Sequence, residues 1–141
     1  MKKWRYILIL CAFIIVIIGG YMVKRGLSVA PKLDAGRIED MEIKRVAKEG
    51  SSGKKRVYTY VLDSSDISLV CTLLNKMKKE FVGTSAGKGW EIWITYNNNQ
   101  EICIAGNIIV YYGIIDRVFT VSEEEIQEIF VLMDEMEESV L

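Results

Sequence analysis

No histidine occurs anywhere in the 141 residues. Ser-His-Asp and Cys-His catalysis, histidine-ligated zinc and histidine-based pH switching are thereby excluded. Cysteine is scarce. Of the 3 present, Cys11 lies inside an apolar run, and Cys71 and Cys103 alone cannot build a four-cysteine metal site. Proline occurs once, at Pro31. No charge of one sign dominates: 18 Lys and Arg stand against 19 Asp and Glu, for a net charge of −1, and no broad basic field marks a nucleic-acid binder. The sequence assigns no catalytic residue, no metal ligand and no cofactor, and an enzyme is not expected.

One feature is conspicuous by contrast. Tyr6 to Val23 runs without a charge, with Lys2, Lys3 and Arg5 before it and Lys24 and Arg25 after it. As a helix this run is about 27 Å long, close to the roughly 30 Å hydrocarbon core of a bilayer. A cleaved secretory signal fits less well. Ser28-Val29-Ala30 supplies small residues, but Lys24 and Arg25 intervene, Pro31 follows the cut, and the run exceeds a usual signal core. A lipoprotein signal also fits less well, because Leu10 precedes Cys11 where a small residue is needed. The expected organisation is a basic N-terminal tail (1–5), a transmembrane anchor helix (6–23), a juxtamembrane linker (24–36) and one small α+β domain (37–141). Basic residues flank both ends of the run, so the positive-inside comparison is nearly tied. The short, purely basic start favours the N-terminus inside and the domain outside; unpaired Cys71 and Cys103 pull the other way.

Within the domain, alternation at Met41 and Ile43 predicts a first strand over 37–47. A Glu49–Gly53 turn and the β-forming run 56–62 complete a hairpin. Asp63-Ser64-Ser65-Asp66 offers helix caps, and Ile67, Val70, Leu74, Met77 and Phe81 fall on one stripe of a helix ending at Gly83. Four strand-like runs follow, at 90–96, 100–105, 108–112 and 114–121. Ser122 with Glu125 forms a capping box for a last helix, buried through Ile126, Ile129, Phe130 and Met133. The order is ββαββββα, a mainly antiparallel sheet with two helices packed on one face.

Register follows from the apolar pattern. A three-residue loop at Asn97–Asn99, with Asn99 left-handed, sets Trp93 opposite Cys103 and Ile94 opposite Ile102. A two-residue turn at Gly106-Asn107 sets Cys103 opposite Val110. Ile92, Ile94, Ile102, Ile104, Ile109 and Tyr111 then face the helices, and Glu91, Trp93, Thr95, Glu101, Cys103, Val110 and Tyr112 face away. Cys71 and Cys103 lie on opposite sides of the sheet, so both are expected as free thiols.

Two short runs imitate motifs. Gly83–Gly89 has the look of a phosphate loop, but it is one residue short, lacks a Ser or Thr after Lys88, and does not open a helix. Ser51-Ser52-Gly53-Lys54 spells a Ser-x-x-Lys motif in a hairpin turn rather than at a buried helix start. Charge is segregated: residues 123–141 carry 8 acidic and no basic residues. Lys44, Arg45, Lys48, Lys54, Lys55 and Arg56 crowd the hairpin. They are either a solvated edge or a contact for anionic headgroups or a polymer. The acidic last helix either frays or meets a basic partner, including the chain's own hairpin. Trp93, Thr95, Glu101, Cys103 and Tyr112 form the candidate partner-binding face.

In outline the chain resembles the small membrane-anchored domains abundant in bacteria, a likeness of architecture alone. The expectation is a single-pass protein of the cell membrane, in contact with the bilayer through Tyr6 to Val23. Its domain would be a non-enzymatic binding or accessory module for an unknown protein, peptide or polymer partner. The alternative is a structural subunit of a membrane complex, with the transmembrane helix as the specific contact.

Overall fold

The apolar run forms one uninterrupted helix, α1 (Lys2–Leu27), in a computed structural model that describes residues 2–49, 54–85, 87 and 89–140. The side chains of 47–49, 54 and 137–140 lie outside the description, as do the Gly50–Gly53 turn with its Ser-x-x-Lys spelling, Ala86 and Lys88. α1 is long and apolar enough to cross a membrane, and none of its residues is buried against the rest of the chain. It absorbs most of the basic tail and the first residues of the expected linker. Ser28 ends it, its amide bonding to the Lys24 carbonyl at 3.0 Å and its hydroxyl to the Arg25 carbonyl at 2.8 Å.

The remaining chain is α+β, with the order β1 (Met41–Glu49), β2 (Lys54–Val61), α2 (Ser64–Lys76), β3 (Glu80–Gly83), β4 (Ile92–Tyr96), β5 (Gln100–Ala105), β6 (Ile108–Tyr111), β7 (Arg117–Thr120) and α3 (Glu123–Val140). The strands make one antiparallel sheet in the order β2-β1-β4-β5-β6-β7-β3. Both hairpin registers agree with the alternation argument: Trp93 pairs with Cys103 and Cys103 with Val110. Ile92, Ile94, Ile102, Ile104, Ile109 and Tyr111 join Ile67, Val70, Leu74, Ile126, Ile129 and Met133 of the two helices in one core. Cys71 belongs to that core and Cys103 to a separate cluster on the other face, and both are free.

Three local expectations are corrected. The helix expected to reach Gly83 stops at Lys76, because Met77 turns extended and the Lys79 amine folds back onto the carbonyls of Leu74 and Met77. Phe81 is therefore not on a helical stripe. It lies in β3, a strand the sequence pattern did not disclose, and its ring meets Phe119 edge-on at 5.6 Å. The last strand begins at Arg117 rather than Ile114, since pairing of Tyr111 with Arg117 leaves 112–116 as a loop. In the Asn97–Asn99 turn the left-handed residues are Asn97 (φ 49°) and Asn98 (φ 65°), not Asn99. Asn97 is committed elsewhere: its side-chain oxygen accepts from the Glu39 amide at 2.9 Å and its nitrogen donates to the Arg37 carbonyl at 3.1 Å.

Those bonds belong to a wider pattern. The segment between Ser28 and Asp40 is laced to the domain rather than hanging free. Asn75 of α2 holds Leu33 from both sides, accepting from its amide at 2.8 Å and donating to its carbonyl at 2.7 Å. Leu33 is buried, and Ala30, Ala35 and Ile38 pack on the core. Asp34 caps a single 3₁₀ turn, Ala35–Arg37, by accepting from the Gly36 amide. Arg117 donates to the Val29 carbonyl at 3.4 Å. The linker is thus part of the folded unit, and only Gly26 to Ser28 separates it from the basic pair that closes the apolar run.

Candidate binding face

Helices α2 and α3 cover one side of the sheet. The opposite side is built from residues that alternate outward along each strand. Strand pairing brings Thr59, Lys44, Trp93, Cys103, Val110 and Val118 into a continuous cross-strand row. A parallel row runs through Val61, Glu42, Thr95 and Glu101. Aromatic rings sit over the centre. Trp93 stacks on Tyr112 with centroids 5.3 Å apart and planes at 21°, and Trp90 meets Trp93 edge-on at 5.7 Å. Both geometries suit the ring quadrupoles.

The five residues expected on this face, Trp93, Thr95, Glu101, Cys103 and Tyr112, are brought together. Thr95 lies opposite Glu101, and Cys103 lies beneath the rings of its neighbours. They are not equivalent. Cys103 is only 3% exposed, so the rings form the accessible surface and the thiol their floor. Burial pushes that thiol up to about 11, with the Tyr112 hydroxyl pulling the other way. A thiol held protonated is a poor nucleophile. Tyr112 is itself raised, first by burial, then by the Cys103 thiol and by the Asp116 and Glu101 carboxylates. Around the rings stand Glu42 with Lys44 (3.7 Å), Glu101, and the exposed valines 57 and 61. An aromatic centre with a polar rim is the composition of recognition surfaces.

Trp90 is a member that sequence reasoning did not assign to this face. The strand expected over 90–96 begins only at Ile92, so Trp90 is freed from the parity that would have set it with Ile92 and Ile94 on the helix side, and its ring meets Trp93 on the opposite face.

The described side chains of the basic hairpin do not share one face. Lys44 points away from the helices, whereas consecutive Arg45 turns beneath the sheet, ion-paired with Asp134 and 5.4 Å over the Phe130 ring. Lys55 and Arg56 are exposed on the edge strand, and the side chains of Lys48 and Lys54 lie outside the described residues. In the sheet β1 lies four places from β7, about 19 Å at about 4.8 Å per strand, and it is β7 to which Val29, just past α1, is tied.

The acidic helix α3 meets bases of its own chain. Glu128 pairs with Lys76 at 2.7 Å and Asp134 with Arg45. Only half of its capping box forms: the Ser122 hydroxyl accepts from the Glu125 amide, but the Glu125 carboxylate takes the Lys78 amide at 3.1 Å instead. Between α2 and α3 runs a groove of about 380 Å³, floored by Leu69, Leu73, Val131 and Leu132 and rimmed by Glu124, Glu128 and Glu135. The sequence reading did not identify it. Exposed Leu69 and Val131, just off the buried stripes, were the signal.

Gly83–Gly89 connects β3 to β4 rather than leading into a helix, which removes the geometry a phosphate loop requires. Among the described residues, no three carboxylate, thiol or imidazole groups cluster where they could hold a metal ion. The chain matches no protein-family model, no curated protein and no solved structure.

Proposed function

We propose that this chain is a membrane-anchored, non-enzymatic binding module, its domain held on the outer side of the cell membrane by an uncleaved α1. On this reading it engages a protein, peptide or polymer partner through the sheet face opposite the helices. The observation that carries the proposal is the one-sided packing of the sheet. Its free side presents Trp90, Trp93 and Tyr112 as an aromatic row inside a rim of Glu42, Lys44, Thr95 and Glu101. The absence of histidine and the protonated, covered state of Cys103 speak against a catalytic role for the same surface. The outward orientation rests on the short basic segment ahead of the apolar run.

The test is site-specific photo-crosslinking in membranes. A photoreactive residue at Thr95 is expected to capture a partner that one at Val131, in the α2–α3 groove, does not. Capture from Val131 alone would move the site to the acidic-rimmed groove. Protease digestion of intact cells, expected to degrade the domain without lysis, checks the side of the membrane.

A second reading has its own support. α1 buries no residue against its own domain, so its whole surface is available to other helices. In that case the chain is a structural subunit of a membrane complex. Exchange of α1 for an unrelated membrane helix separates the two, since the binding-module reading expects crosslinking at Thr95 to survive the exchange.

A further inference from the structure

Gly113 to Asp116 carry two isoleucines that no element of the fold uses. Ile114 is 107% exposed and Ile115 46% exposed, at the tip of the β6–β7 loop. Ile114 gains nothing from the domain, and Ile115 is only about half covered by it. The base of the loop is fixed beside the exit of α1. Arg117 donates to the carbonyl of Val29, two residues beyond the last residue of α1, and Val29 is itself 63% exposed. By helical rise, Leu27 lies about 6 Å beyond Val23, inside a headgroup layer roughly 5–8 Å deep. Lys24, Arg25 and Lys32 lie within five residues of Val29 in the chain, Arg117 bonds to it, and the loop itself carries a single acid, Asp116.

Resting on the membrane-anchor reading above, we infer that the β6–β7 loop is a second contact with the bilayer that holds α1. Ile114 and Ile115 enter the interfacial layer, and the flanking cations meet anionic headgroups. The occupant is the bilayer, because Arg117 at the base of the loop bonds to Val29, two residues past the helix that would span it. Two contacts, one spanning and one interfacial, fix the tilt of the domain and hence the direction in which the aromatic face looks.

The test places an environment-sensitive fluorophore at single cysteines in the full chain. The chain is reconstituted into phosphatidylcholine vesicles containing phosphatidylglycerol, with lipid-borne nitroxide quenchers. Cys11→Ser removes the exposed native thiol; Cys71 and Cys103 are buried and stay unlabelled. Ile14→Cys reports the anchor, Ile114→Cys the loop, and Val57→Cys a sheet edge remote from α1. The expected result is a blue shift and quenching at 14 and at 114, with 57 unaffected. Quenching at 14 with 114 behaving like 57 overturns the loop contact and leaves the anchor intact. No quenching at 14 overturns the anchor reading and this inference with it. Equal quenching at 114 and 57 overturns a specific loop contact in favour of general adsorption.

Discussion

Replacing Asn75 by alanine tests whether the linker is clamped to the domain or merely lies near it. The wild-type side chain makes two bonds to Leu33, at 2.8 and 2.7 Å, both part-buried. Each such bond contributes about 1 kcal/mol net, so losing both costs about 2 kcal/mol. For a domain near a hundred residues that corresponds to a fall in Tm of about 8–16 °C. The assay is thermal unfolding of the full chain in detergent micelles, followed by near-ultraviolet circular dichroism, with amide hydrogen exchange mapped along 28–40. Faster exchange should be concentrated around Leu33. Asn75→Asp sharpens the argument. A protonated acid can still donate to the Leu33 carbonyl, whereas a carboxylate cannot, so folding raises the pKa of the new acid. A raised pKa means that the folded state binds the proton more tightly. The variant is then most stable below the unfolded value near 4 and loses stability as pH rises through its folded pKa. A Tm within about 2 °C of wild type for Asn75→Ala, well under the roughly 4 °C expected of even 1 kcal/mol, would refute the clamp. So would unchanged exchange in 28–40.

Tyr111 is 3% exposed, and its hydroxyl has no hydrogen-bond partner among the described residues, so Tyr111→Phe is expected to be neutral or to stabilise by up to about 1 kcal/mol; a large fall in Tm contradicts the assignment. In the native protein a thiol reagent at pH 8 should leave Cys71 and Cys103 unmodified, since burial raises both, and denaturant should release both; an intramolecular disulfide in the mass spectrum would overturn the two-faced sheet. Asp63 caps α2 by accepting from the Asp66 amide, and that bond, followed by the Ser65 hydroxyl, lowers its pKa from 3.8. A lowered carboxylate stabilises above its unfolded pKa and loses that contribution as pH falls through the folded value, so Asp63→Asn should flatten the acid limb of the stability profile. Gly106 opens its turn at φ 59°, and Gly106→Ala should cost about 1 kcal/mol in urea unfolding without altering the sheet face.

The pattern of apolar residues from Ile92 to Tyr111 disclosed both registers and both faces, because a shift of one residue would turn the whole set outward. That reading needs only alternation and turn length, which are local. What stayed hidden depends on distant partners. Phe81 continues the spacing of Ile67, Val70, Leu74 and Met77, so periodicity alone extends the helix. The Lys79 amine and the ring of Phe119 settle the matter, and neither is visible from the stripe. Asn97 takes the left-handed conformation while its side chain bonds to Arg37 and Glu39, nearly sixty residues earlier. Charge alone had left open that the acidic last helix meets the chain's own basic hairpin, and Arg45 with Asp134 realises that pairing; the Phe130 ring beneath Arg45 was not legible. Of the candidate face, its five residues were legible from strand parity. Trp90 and the burial of Cys103 were not, since both depend on how rings pack across strands.

If α1 is the membrane anchor proposed above, the clamped linker changes what that anchor does. A flexible tether of a dozen residues would let the domain sample all orientations above a bilayer, and a recognition face on it would gain only local concentration. Asn75, Asn97 and Arg117 instead tie the segment after α1 to three different elements, α2, the β4–β5 turn and β7. The orientation of the sheet relative to α1 then depends on the few residues around Gly26. On the proposed reading, a partner approaching along the membrane would meet the aromatic face from a restricted set of directions, which would reduce the orientational entropy lost on binding. If the linker bonds exist for that purpose, cutting them should weaken partner capture at Thr95 even where the domain remains folded, because the face is intact and only its aim is lost.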